Sequence, residues 1–222
     1  MLLKIPRVLS RQQLDSVRSA LASANFVDGK LSAGRMAAAV KHNQEAEQLS
    51  QPVRQMNDLV IGTLSEHRTY RAAAFPARTS PAFFARYGPG MSYGYHVDEA
   101  VSRDNLNRSD IAITVFLSNN DEYEGGELAI QTPFGEQEIK LPAGDAVIYP
   151  ASSLHRVREV TSGERLVAVA WAQSLIREPA RRELLYELGL AWEQSSAAGG
   201  PSDTNERLQR LYANLLRMWA DT

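Results

Sequence analysis

The sequence predicts an α+β protein built mostly around a β core, and three observations carry that prediction. Short runs rich in Val, Ile, Phe, Tyr and Thr recur at 82–88, 93–97, 111–118, 126–132, 135–141, 145–150, 154–160 and 164–173, with Gly, Pro and Asn turns between them. Eight such strands in succession make a barrel or a sandwich. Apolar residues at helical spacing occupy both ends of the chain, and no internal repeat or long low-complexity tract interrupts it.

The N-terminal part supplies supporting helices. Ser10 followed by Gln13 has the form of a capping box, and Leu14, Val17 and Leu21 then repeat on one face. A second helix is expected from Ser50-Gln51-Pro52, with Val53, Met56, Leu59, Val60 and Leu64 on one side. Residues 27–51 between them are rich in Gly, Ala and polar side chains and read as a loop or helix near a site entrance. His42 and His67 sit in polar, helical-looking surroundings and read as solvated. Within the β region, 99–110 is polar and aperiodic, which predicts a mobile lid or substrate loop.

The C-terminal part reads as a helical pair. Leu184, Leu185 and Leu188 share a face within 179–194, a small-residue linker covers 195–201, and Asp203 with Glu206 can cap a last helix carrying Leu208, Leu211, Tyr212, Leu215, Leu216 and Trp219. The expected division is a unit of 1–178, with its motifs in 83–174, and a helical appendage of 179–222. The appendage either folds back on the β core or pairs with a second subunit to give a homo-oligomer.

Composition excludes several classes. The 222 residues are 44% hydrophobic and 23% charged, with a net charge of −2, as expected of a soluble globular protein and not of a protein dominated by phosphate contacts. No nucleic-acid partner is expected. The chain has no cysteine, which removes disulfides and thiolate metal sites. Met1-Leu2-Leu3-Lys4-Ile5-Pro6 is too short an apolar run for a signal peptide and no stretch is long enough to span a membrane, so a cytoplasmic location is expected.

The chemistry is concentrated in His96-Val97-Asp98, then His155, then Arg165 ten residues further on. On a strand, side chains two apart share a face, so His96 and Asp98 would project together roughly 7 Å apart while Val97 faces away. Two imidazoles and a carboxylate can hold a divalent iron on one side and leave the opposite positions open. An H-x-D triplet alone is common on exposed strands. Here it follows Arg86-Tyr87-Gly88-Pro89-Gly90, and Pro142-Ala143-Gly144-Asp145 feeds a buried strand just before His155. Arg165 opens a strand whose alternate positions are Val167, Val169 and Trp171, so it either meets an anion inside or pairs on the surface with Glu159 or Glu164. Arg156 and Arg158 lie close enough to His155 in sequence to attract an anionic substrate. Tyr149 and Trp171 read as pocket lining or as packing.

This order of motifs, from Phe83 to Ser174, resembles the iron(II)- and 2-oxoglutarate-dependent dioxygenases, in particular the bacterial PKHD-type (prolyl/lysyl hydroxylase-like) hydroxylases associated with iron uptake. The resemblance implies a double-stranded β-helix, or jelly roll. It implies Fe(II) on His96, Asp98 and His155, with the distal carboxylate of 2-oxoglutarate on Arg165 and helped by Tyr87. It further implies oxidative decarboxylation of 2-oxoglutarate to succinate and CO2, coupled through dioxygen to hydroxylation of an unidentified substrate, with L-ascorbate as reductant. The alternatives are a cupin-like metal hydrolase or isomerase, which would not need Arg165, and a non-catalytic iron-responsive binding module.

Overall fold

The chain begins β1 (Leu3–Ile5), α1 (Arg11–Ala22), β2 (Phe26–Asp28), a 3-10 turn (Gly29–Ser32), α2 (Arg35–Ala38), β3 (Lys41–His42), β4 (Gln44–Ala46), α3 (Gln51–Glu66), α4 (Arg68–Ala74) and β5 (Pro76–Thr79). It continues through β6 (Phe83–Tyr87), β7 (Ser92–His96), β8 (Ile111–Phe116), β9 (Tyr123–Gly125), β10 (Leu128–Thr132) and β11 (Gly135–Ile139). After β12 (Ala146–Pro150), β13 (His155–Val157), β14 (Val160–Gly163) and β15 (Arg165–Ser174) it ends in α5 (Pro179–Ala197) and α6 (Ser202–Trp219). The computed structural model describes residues 1–102, 107–199 and 202–221.

Two antiparallel sheets face each other as a jelly roll. The larger runs β1-β12-β8-β15-β6-β4-β2, with β5 also on β15, and the smaller runs β11-β10-β13-β7-β3. Strand β15 explains the layering through its alternation. Ala168, Ala170 and Ala172 join a core shared with the helices, whereas Val167, Val169 and Trp171 turn into a second core between the sheets. The small alanines let α1 and α3 approach closely, through Val17, Leu21, Val53, Met56, Val60 and Leu64. The predicted capping box on α1 is formed: Gln13 N donates to Ser10 Oγ at 3.3 Å and Ser10 N to Gln13 Oε1 at 2.9 Å.

Several expectations are corrected. Residues 27–51 carry three strands as well as short helices: β2 and β4 widen the large sheet beyond β6, and β3 pairs with β7. Their inward positions Lys41, Asn43 and Glu45 are polar yet buried, so apolar periodicity could not mark them. His42 is therefore on a strand, and His67 lies at the junction of α3 and α4. The single strand expected over 154–160 is two, β13 in the small sheet and β14 in a separate pair with β9. Asp203 lies inside the first turn of α6 and does not cap it, although its charge still suits that helix end.

The segment leaving Asp98 is pinned at its base. Val101 bridges Arg108, and Ser109 N donates to Ala100 O at 2.9 Å. The lid expected over 99–110 falls partly on 103–106, outside the described residues. Asp110 then ties this base to the end of the chain. Its carboxylate accepts from Arg108 Nε at 2.7 Å and Ser174 N at 2.9 Å, Arg108 reaches Asp221 at 3.4 Å, and Asp221 N donates to Leu175 O at 2.8 Å. Helix α6 covers Phe75, Ile176 and Leu185 with Tyr212, Leu215, Leu216 and Trp219. Among the described residues, no helix is long and apolar enough to cross a membrane.

Candidate metal centre

His96 and His155 face each other as a register pair between β7 and β13. The next pair is Val157 with Tyr93, so two steps on β13 match three on β7, which is a β-bulge. The extra residue brings Tyr93 and His96 to one side, where their rings stack with centroids 3.6 Å apart. Asp98 lies beyond the end of β7, so strict strand alternation does not aim it; the chain turns its carboxylate back as it leaves the sheet. Val97 points outward, as expected, and is 49% exposed.

The three side chains converge. Asp98 Oδ1 is 3.9 Å from His96 Nε2 and 3.8 Å from His155 Nε2, and one donor atom from each residue lies within 4.8 Å of the others. Each imidazole is oriented by its own strand. Gly94 O lies 2.8 Å from His96 Nδ1 and Ser153 O 3.0 Å from His155 Nδ1. A carbonyl can only accept, so Nδ1 carries a proton in both rings and each Nε2 faces Asp98. Burial, helped by the neighbouring His155, lowers the His96 pKa to about 3, which keeps this imidazole neutral as metal coordination requires. Burial raises the Asp98 carboxyl against the opposing pull of His155, Trp171 and Lys41. Its Oδ2 is buried without a hydrogen-bond partner. Two oriented imidazoles and a carboxylate with an unused oxygen suit a first-row divalent metal.

Arg165 is on the inner side, 1% exposed, and the surface pairing with Glu159 or Glu164 is absent. Its Nε and Nη1 are buried without partners, and its guanidinium lies 5.0 Å from the ring centroid of Tyr87, its register partner across β6 and β15. Gly126 makes room for it: at φ 67° a Cβ there would stand 3.1 Å from Arg165 Cδ. The Tyr87 hydroxyl, also buried, is pushed up to about 12 by desolvation in spite of Arg165, so it remains a donor. Tyr149 meets His155 edge-on at 5.2 Å, and burial holds its hydroxyl well above the ordinary tyrosine range.

Arg156 and Arg158 do not serve this centre. Arg156 alternates with His155 and so faces outward, where Glu136 accepts from both arginines at 2.9 Å and Tyr95 adds a short contact. Sequence reasoning missed a neighbouring group of buried polar residues. Lys41 and Glu45 form a buried ion pair of 2.5 Å, Lys41 Nζ lies 5.3 Å from the Tyr93 ring centroid, and Asn43, between them in sequence, is buried as well. A period-two polar pattern at 41, 43 and 45 was the available signal.

Residues 82–173 match the family model of the 2OG-Fe(II) oxygenase superfamily, and residues 180–221 match that of the PKHD-type hydroxylase C-terminal domain. A PKHD-type hydroxylase of Thioalkalivibrio sulfidiphilus is 52% identical over 223 residues, covering 100% of both chains. A prolyl hydroxylase of Trichoplax adhaerens, solved with a hypoxia inducible factor peptide fragment, shares the fold at a TM-score of 0.57 and 15% identity, over 78% of this chain and 83% of that one. The viral collagen prolyl hydroxylase of Paramecium Bursaria Chlorella virus-1 shares it at 0.54 and 19%, over 78% and 95%.

Proposed function

Because the chain belongs to the PKHD-type hydroxylases of the 2OG-Fe(II) oxygenase superfamily, we propose that it hydroxylates an as yet unidentified substrate while converting 2-oxoglutarate to succinate and CO2. His96, Asp98 and His155 hold Fe(II), and Arg165 with Tyr87 holds the distal carboxylate of 2-oxoglutarate. Bound iron, 2-oxoglutarate and dioxygen together supply the oxidising chemistry. The protein's part is orientation: the Gly94 and Ser153 carbonyls fix the two imidazoles, and Tyr93 stacked on His96 holds that ring in plane. The apolar core between the sheets, with Tyr87, Tyr149 and Val157, would limit the access of water to this centre.

The observation that carries this reading is Arg165. A guanidinium with two buried, unpartnered nitrogens is disfavoured by roughly 1–3 kcal/mol or more per group unless an anion joins it. A dicarboxylate anchored at one end on the metal and at the other on Arg165 answers that need. Incubation with Fe(II), 2-oxoglutarate and dioxygen should release succinate in slow uncoupled turnover, and L-ascorbate should prolong it. Metal binding without any succinate would return the cupin-like alternative.

The same proposal treats 1–178 as the oxygenase unit and 179–222 as an appendage that mediates self-association. Leu211 and Met218, 53% and 72% exposed on one side of α6, support the second point.

A further inference from the structure

Asn43 is 3% exposed, and neither its carboxamide oxygen nor its nitrogen has a hydrogen-bond partner. Buried amides are almost always satisfied, so an empty one needs an explanation. The register supplies its position. Strand β4 pairs Gln44 with Arg86 and Glu45 with Ala85, and one further step of the same antiparallel register sets Asn43 beside Tyr87. On the other side Tyr87 is paired with Arg165. Asn43, Tyr87 and Arg165 thus form one row across three neighbouring strands on the inner face of the large sheet. The two outer members both carry unpartnered nitrogens.

Gly29 keeps the amide in place. A Cβ at that position would stand 1.9 Å from Asn43 Oδ1 and 3.2 Å from Lys41 Cε. Backbone pairing holds the two residues together, Gly29 N donating to Asn43 O at 3.0 Å. The amide lies close enough to the Tyr87 hydroxyl to oppose slightly the rise that burial imposes on it, without reaching hydrogen-bond geometry.

We propose that Asn43 is a third co-substrate-binding residue, its carboxamide N–H groups donating to the distal carboxylate that Arg165 and Tyr87 also hold. The inference rests on the 2-oxoglutarate reading above. A neutral donor suits this position, because Glu45 two residues on is already matched by Lys41 and a further cation would be unbalanced. A carboxylate seated on the row meets a cation, a phenol and an amide in line.

Calorimetric titration of 2-oxoglutarate into Mn(II)-loaded protein without dioxygen tests this without turnover. Asn43→Ala should weaken binding roughly tenfold through one lost charge-assisted hydrogen bond. Asn43→Asp should weaken it further, by repulsion of the dianion, while Mn(II) affinity and melting temperature stay near wild type. Gly29→Ala, which displaces the amide without altering its chemistry, should reproduce the alanine effect and serves if Asn43→Ala fails to fold. Wild-type affinity in Asn43→Ala or in Gly29→Ala, alongside lost affinity in Arg165→Ala, would overturn the role of Asn43 and leave the co-substrate reading standing. No binding to the wild type, or unaltered binding in Arg165→Ala, would overturn both.

Discussion

At the scale of the residue, His155 is the sharpest test of the metal centre. Its Nδ1 lies against a carbonyl and its Nε2 faces Asp98, so His155→Ala removes a donor and leaves the partly buried His96 and Asp98 in place. Iron affinity measured by calorimetry should fall by more than the roughly 10–100-fold typical of losing an outer-shell partner. Arg165→Ala should raise the 2-oxoglutarate requirement by the equivalent of about 1.5–3 kcal/mol with metal affinity kept, a loss too large for a surface pair. Glu136 gives the pH prediction. Tyr95, then Arg156 and Arg158, hold its carboxyl down at about 2 from an ordinary 4.5. The unfolded chain takes up this proton first as the solution is acidified, so the stabilisation is complete above pH 4.5 and is lost as the pH falls through 2. Melting temperature followed across that window should drop less steeply in Glu136→Gln than in the wild type.

At the scale of the element, how far the chain could be read depended on the kind of signal. Helices α1 and α3 were legible because apolar residues repeat along one face, and the strands between 82 and 174 because β-prone runs alternate with turn residues. Strands β2, β3 and β4 were not, since Lys41, Asn43 and Glu45 are buried as polar groups that satisfy one another or face the cavity. Strands β1, β5 and β9 are three or four residues long and owe their pairing to distant partners. The motif residues at 96, 98, 155 and 165 were visible by spacing, but the bulge in β7 and the exit of Asp98 from the strand depend on pairing with β13, which no local pattern records. Helix α3 also allows a test of packing apart from chemistry. Leu64 is fully buried against the outer side of the large sheet, so Leu64→Ala should cost about 2–5 kcal/mol in urea unfolding and leave metal stoichiometry unchanged. Ser10→Ala, which removes only the cap of α1, should cost about 1 kcal/mol.

At the scale of the whole molecule, the C-terminal helices have two sides with different work. Tyr212, Leu215, Leu216 and Trp219 pack against their own chain, while Leu211 and Met218 face outward. Replacing Leu211 and Met218 together with Lys should therefore leave the melting temperature near wild type and shift sedimentation to the monomer. A wild type already monomeric at tens of micromolar would end the proposal of self-association. The bonds among Arg108, Asp110 and Asp221 also tie parts of the sequence that lie far apart into one support. Asp98 leads into a segment whose base is braced from a residue just beyond α6. A change confined to that helical end, such as Asp221→Ala, would therefore loosen the approach to the metal centre while leaving every metal-site residue in place.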